Sequence, residues 1–294
     1  MSIILGFLEE GLVYAIMALG VYITYKILDF PDLSVDGTFP LGGAVGVTLI
    51  LAGVNPVLTL FAAFLAGAAA GCATGFIHVK LKVRDLLSGI IVMTALYSVN
   101  LRITGKSNVP IFNCQTIFEN DFLASLIPES VSSFTVLIIL VIIVAIVKIL
   151  LDLYLKTRSG YLLQAVGDNE SLVTALAKDK GLVKIIGLAL ANGLAALAGA
   201  VYCQKNGNFA IEMGTGTMVI GLANVIIGTK LFQKVGILKS TTAVIIGSII
   251  YRGCVSLAIS LGMKASDLKL ITAALLLVIL VISNGKEKKV KVHA

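Results

Sequence analysis

Long apolar runs recur along the whole chain. Nine are readable, at 11–28, 38–53, 57–79, 86–104, 133–154, 182–204, 215–230, 240–260 and 267–283. Lipid offers no water to unpaired backbone groups, so such runs must become helices. A crossing takes about 20 residues. The expected fold is therefore all-α and polytopic, with about nine transmembrane helices in a single domain over 1–294. Only 13% of residues are charged, against roughly 25% in a soluble domain. Glu9 and Glu10 stand ahead of the first run and no basic start precedes it, so it reads as a retained span rather than a cleaved signal. The second, seventh and ninth runs are short, and so tilted, broken or re-entrant.

Lysine and arginine set the orientation. With the N-terminus outside and nine spans alternating, seventeen of the 23 basic residues fall inside and five outside, with Arg252 within a span. This makes 105–132 an extracellular loop, 155–181 a cytoplasmic loop and 284–294 a cytoplasmic tail. The net charge of +7 resides in these loops, so no nucleic-acid partner is expected. Cys72, Cys114, Cys203 and Cys254 lack metal-ligand spacing, and neither a metal site nor a bound cofactor is expected. The sequence contains no GxxxxGK[ST] phosphate loop, nucleophile elbow or HExxH. It does not read as an enzyme.

The 155–181 loop has a pattern of its own. Asp168 or Asn169 reads as a helix cap, with Glu170 in the first turn and Lys178 and Lys180 at the end. Leu172, Val173, Leu176 and Ala177 would line one side of a short amphipathic helix. Such a stripe suits either a plain surface helix or docking into a partner's groove.

Between the first two spans lies Asp29-Phe30-Pro31-Asp32-Leu33-Ser34-Val35-Asp36-Gly37-Thr38-Phe39-Pro40-Leu41-Gly42-Gly43. Acids near membrane depth mark a functional position unless they sit at the surface. The segment aligns without gaps on a second one starting at Asn208-Phe209. Gly37 falls on Gly216, Thr38 on Thr217, Gly42 on Gly221 and Ala44 on Ala223, and Glu212 lies one place beyond Asp32's counterpart. The span before the first copy runs inward and the span before the second runs outward. That is the signature of an inverted-topology repeat, with pathway residues at the repeat interface.

Candidate pathway or gating residues are Asp32, Ser34, Asp36, Asn100, Asn192 and Glu212. The acids and Ser34 suit either capping of broken helix ends or contact with a solute, with capping favoured for Ser34. Asn100 and Asn192 suit interhelical hydrogen bonds. Arg252 needs a partner, for which Glu212 is a candidate. Tyr14, Tyr22, Tyr97 and Phe39 read first as apolar fillers. Gly193, Ala195, Ala196, Ala198 and Gly199 give the sixth span a small-residue face for close helix approach.

The run Ile27 to Gly37 resembles the segment after the first span in permeases of the ribose and branched-chain amino-acid ABC importer superfamily. Thr157-Arg158-Ser159-Gly160, Ala165-Val166-Gly167-Asp168-Asn169 and Ala189-Leu190-Ala191-Asn192-Gly193 resemble that superfamily's cytoplasmic loop and following helix. The extended form around Asp36-Gly37-Thr38-Phe39-Pro40 is similar to its tryptophan/tyrosine-type subgroup, and Asp36 departs from the ribose pattern. The resemblance implies a multi-pass permease of the bacterial plasma membrane, with its C-terminus cytoplasmic. Its partners would be a second permease copy, two cytoplasmic ATPase subunits that hold the ATP, and an extracellular substrate-binding lipoprotein. Gly167, Asp168, Asn169, Glu170, Leu172, Val173 and Leu176 would couple to the ATPase through a cytoplasmic coupling helix. An aromatic amino acid is the implied cargo, with a nucleoside as alternative. An ion-coupled secondary transporter or a non-transporting scaffold is the rival from another class.

Overall fold

The computed structural model describes residues 2–120, 134–168, 179–233 and 238–262, together with 270, 272–274 and 277. Helix α1 (Ser2–Val21) continues through a π-helical turn, Tyr22–Ile27. There follow α2 (Val35–Leu51), α3 (Pro56–Val79), α4 (Asp85–Thr104), strand β1 (Asn108–Pro110), α5 (Thr135–Leu155) and α6 (Arg158–Asp168). Next come α7 (Lys180–Asn206), β2 (Asn208–Ala210), a 3-10 turn (Ile211–Gly214), α8 (Thr217–Leu231) and α9 (Ser240–Ser260). Among the described residues, seven helical segments are long and apolar enough to cross a membrane, and α2 is a shorter apolar one. This is a polytopic all-α membrane protein. Most of the expected ninth span, 267–283, lies outside the described residues.

Three expectations are corrected. Glu9 and Glu10 lie within α1, not ahead of it. A membrane helix carries them because each is paired, Glu9 with Lys205 at 3.2 Å and Glu10 with Arg252 at 3.0 Å. Asp168 lies within α6 rather than ahead of a helix, while Asn169, the other candidate cap, lies outside the described residues. Lys180 begins α7, where the Asp179 carboxylate accepts from the amides of Gly181 and Leu182. A short antiparallel ribbon was also not anticipated. Strand β1 in the long loop pairs with β2, Val109 opposite Phe209.

The helix packing repeats itself. α1 packs along α9, and α7 packs along α3. Phe7 and Gly11 meet Gly253 and Ile249, while Gly67 and Gly75 meet Asn192 and Ile185, so both pairs are antiparallel. α2 packs on α3 as α8 packs on α9. Replacing α1, α2 and α3 by α7, α8 and α9 turns each of these contacts into another on the same roll. Counterparts α1 and α7 themselves run antiparallel, with Glu9 at Lys205, Tyr14 at Tyr202 and Gly20 at Ala191. The repeat read from the two short arms is thus inverted in space.

Small residues set how tightly this core closes. Gly193, Ala195, Ala196, Ala198 and Gly199 of α7 are all buried. A Cβ on Gly42 would overlap the Ala196 carbonyl, and one on Gly199 the Phe39 carbonyl. Backbones that approach this closely gain dispersion contacts along their length, which replace the hydrophobic drive that lipid removes. One end of the bundle gathers the basic connections: Val79 meets Gly181, Ile27 meets Gly167, and Lys239 bonds Asp152 at 3.0 Å.

Candidate functional site

Two helices begin inside the bundle instead of at its ends. α1 ends near Leu28, and Asp29 takes a left-handed turn with φ 51°. The chain then crosses Phe30 to Ser34 in non-helical form before α2 starts at Val35. Ser34 and Thr38 lie against Asn192, thirteenth of the 27 residues of α7. On the other side, the chain after α7 descends past Gly43, which faces Phe209 and Met213, and past Pro40, which faces Gly214. α8 then starts at Thr217 beside Asp36. The N-terminal ends of α2 and α8, each carrying the positive pole of its helix dipole, therefore meet near mid-depth.

Asp36 joins them. Its Oδ1 accepts from the Met218 amide at 2.7 Å and the Thr217 hydroxyl at 2.9 Å, and its Oδ2 from the Gly216 amide at 3.0 Å. Gly216, at φ 84°, occupies the cap position of α8 and has no side chain to cap it with. A carboxylate from the first turn of α2 supplies the cap from 180 residues away. One half-buried anion thus serves two helix N-termini, a placement favoured by both dipoles.

Beside this joint is a fully buried polar web. Asn192 Oδ1 accepts from the Ser34 hydroxyl at 3.0 Å and the Thr38 hydroxyl at 2.7 Å. Asn192 Nδ2 donates to Asp32 Oδ2 at 2.7 Å and to the Leu188 carbonyl at 3.1 Å. Asp32 Oδ1 accepts the Ser34 amide at 2.9 Å. Asp32, Ser34, Thr38 and Asn192 expose no surface. Asn100 of α4 donates to the Gly37 carbonyl at 3.1 Å, and its Oδ1 has no partner among the described residues. The break between α1 and α2 is thereby filled with side-chain hydrogen bonds.

The break before α8 opens instead on a cavity of about 590 Å³ between α1, α7, α8 and α9. That is within the usual range for small-molecule sites. Thr215 and Thr217 line it on one side, and Glu10, Tyr14, Tyr202, Lys205, Tyr251 and Arg252 supply its polar and aromatic wall. Arg252 bonds Glu10 and lies 4.0 Å from the Tyr14 ring centroid, a cation–π contact. Tyr14 stacks on Phe39 at 5.9 Å and meets Tyr202 edge-on at 6.0 Å. Asp36, bonded to Thr217, links this cavity to the buried web.

Five of the six candidate pathway residues are therefore brought together, namely Asp32, Ser34, Asp36, Asn100 and Asn192. Ser34 departs from its expected role, since its hydroxyl goes to Asn192 and Asp32 and Asp36 take the amides. Glu212 is exposed and stands apart. It does not partner Arg252, because antiparallel α1 and α9 put residue 252 opposite residue 10. Sequence reading missed Glu10, Thr38, Thr217, Tyr202, Lys205 and Tyr251. Thr38 and Thr217 were aligned with each other by the repeat, and that equivalence was the available signal. Of the coupling residues, Asn169, Glu170, Leu172, Val173 and Leu176 lie outside the described residues. Gly167 packs so closely on the Ile27 carbonyl that a Cβ there would overlap it.

Residues 3–281 match the family model described as branched-chain amino acid transport system / permease component. A tyrosine transport system permease protein of Clostridioides difficile is 45% identical over 284 residues, covering 97% of this chain and 92% of that one. An uncharacterised protein of Rickettsia prowazekii is 33% identical over 286 residues, 95% and 96% of the two chains. The ribose import permease protein of Escherichia coli K12 is 27% identical over 282 residues, 96% and 85%. No solved structure matches.

Proposed function

The chain belongs to the family of branched-chain amino acid transport system permease components, and from that premise we propose that it is the membrane subunit of an importer for an aromatic amino acid. The observation that carries the cargo is the 45% identity, across nearly the whole chain, to a protein named for tyrosine transport. The aromatic and ionic wall of the cavity supports the same reading. An extracellular binding lipoprotein delivers the solute, and a second copy of the chain completes the permease. The basic end of the bundle is cytoplasmic by the charge rule, which puts the C-terminus inside. ATP is hydrolysed on two separate subunits docked there.

The mechanics follow from the packing. α6 lies directly on the last turn of α1 through Gly167 and Ile27, and Leu163 reaches Gly187 of α7. A push on the 155–181 loop is passed to the end of α1 and the start of α7. The end of α1 leads directly into the Asp29 to Ser34 break, so the displacement reaches Asp36 and the start of α8. The broken helices are where such a bundle yields, since their backbone groups are held by side chains instead of by a continuous helix.

Reconstitution tests this. The chain, co-expressed with a cognate ATPase and binding lipoprotein, should give ATP-dependent uptake of labelled tyrosine or tryptophan into vesicles. Leu172→Asp should abolish co-purification of the ATPase while the chain stays folded. Uptake of a nucleoside and no amino acid, or uptake that needs an ion gradient and no ATPase, would overturn the reading.

A further inference from the structure

The ion pair facing the cavity does something the transport reading does not require. Arg252 is largely buried, at 12% side-chain exposure, whereas Glu10 is 42% exposed. A pair whose only role was to tie α1 to α9 would be expected to turn both charges away from open space. Here the carboxylate stands in the cavity and the guanidinium lies behind it, against the Tyr14 face. Arg252 also has capacity to spare, because its Nε–H has no acceptor among the described residues. The guanidinium fork suits a carboxylate taken by two parallel donors. Lys205, the other cation of the lining, is occupied by Glu9 at 3.2 Å.

We propose that the cavity takes its solute as a zwitterion by ion-pair exchange. The Glu10 carboxylate receives the ammonium, the Arg252 guanidinium receives the carboxylate, and the side chain lies along Tyr14, Tyr202 and Tyr251. The proposal rests on the amino-acid importer reading and assigns the residues that enforce it within this chain.

Exchange is what makes the step feasible in a low-dielectric interior. Opening the Glu10–Arg252 pair leaves the largely buried Arg252 guanidinium without a partner, which is strongly unfavourable. A solute carrying one positive and one negative group replaces both interactions at once, so the number of ion pairs is conserved or raised. An amine without a carboxylate strands Arg252, and an acid without an ammonium strands Glu10. A nucleoside strands both. Stranding one partner of a buried charge pair is costly enough to lower affinity by well over about tenfold. The tyrosine wall adds ring contacts for an aromatic side chain.

The test uses the full chain purified in detergent, with thermal protection read against L-phenylalanine, phenethylamine, 3-phenylpropionate and uridine. L-Phenylalanine should protect, and the other three should be weaker by at least about tenfold. Arg252→Gln and Glu10→Gln should each flatten the difference between L-phenylalanine and the analogue that lacks the matching charge. The ligand panel on the wild-type chain decides the matter even where a variant fails to fold. Equal protection by phenethylamine or 3-phenylpropionate, or none by L-phenylalanine, overturns the clamp. An assembled complex that imports L-phenylalanine while the isolated chain ignores the panel also overturns the clamp, and leaves the importer reading standing. A complex that imports uridine and no amino acid overturns both.

Discussion

The two arms of the repeat occupy equivalent places and are held in opposite ways. The first, from Asp29 into α2, is fixed by its own side chains, with Asp32, Ser34 and Thr38 all engaged by Asn192 or by the arm's own backbone. The second, from Asn208 into α8, is fixed by backbone. It pairs as a strand with β1, makes a 3-10 turn, and borrows its helix cap from Asp36. The surroundings differ in the same sense. Around the first arm α3 closes on α7 along Gly67, Gly71 and Gly75, leaving little room. Around the second, α9 stands off far enough to leave the cavity. An inverted repeat gives both halves the same frame, but nothing obliges the chemistry to be symmetric. One break has been filled and locked, and the other left open onto a ligand-sized space.

That contrast is open to attack at several points. Gly199→Leu strikes the closed half, where a Cβ would already overlap the Phe39 carbonyl. Overpacking against backbone should cost upward of about 3 kcal/mol, seen as loss of monodisperse protein on extraction; normal recovery would mean the closed half is not tightly packed. Asn192→Leu removes the hub of the web and strands the Ser34 hydroxyl and the Asp32 carboxylate. Each stranded buried group costs about 1–3 kcal/mol, so a loss near 3 kcal/mol in denaturant stability is expected. Asp36→Asn keeps the shape of the joint but weakens three hydrogen bonds and removes an anion from two helix dipoles. About 2 kcal/mol should be lost, and an unchanged melting temperature would show that the arms are not tied through this residue. Glu212→Gln should change stability by less than about 0.5 kcal/mol, because the second arm's own acid is exposed and its side chain holds nothing among the described residues. A large effect there would make the two arms more alike than their geometry indicates.

Much of this was readable in advance, and particular residues show why. The apolar runs located the spans because lipid admits nothing but helices. The aligned Gly37-Thr38 and Gly216-Thr217 pairs disclosed the repeat because both copies place them where a helix restarts. Asn100 and Asn192 were recognisable as buried amides in search of interhelical partners. The failures have a common source. Glu9 and Glu10 were set outside the first span because a run of apolar residues ends where charge begins, unless a partner neutralises it. Their partners, Lys205 and Arg252, lie about 200 residues or more away. The cap chemistry of Asp168 or Asn169 suggests a helix start, whereas the turn before Asp168 is already helical and Asn169 lies outside the described residues.

By itself, then, the sequence determined the class of fold, the shortness of the second and seventh spans and the signature of an inverted repeat. These are properties of segments, written in local hydropathy and in short motifs. Only the tertiary structure decided that Asp36 caps the opposite arm, that Asn192 gathers Asp32, Ser34 and Thr38, and that Arg252 faces Glu10 instead of Glu212. Partner choice depends on the rotation and register of helices against one another. Helices that are apolar on nearly every face leave little trace of that rotation in their pattern, so it emerges only when small residues such as Gly42 and Gly199 fix where the backbones touch.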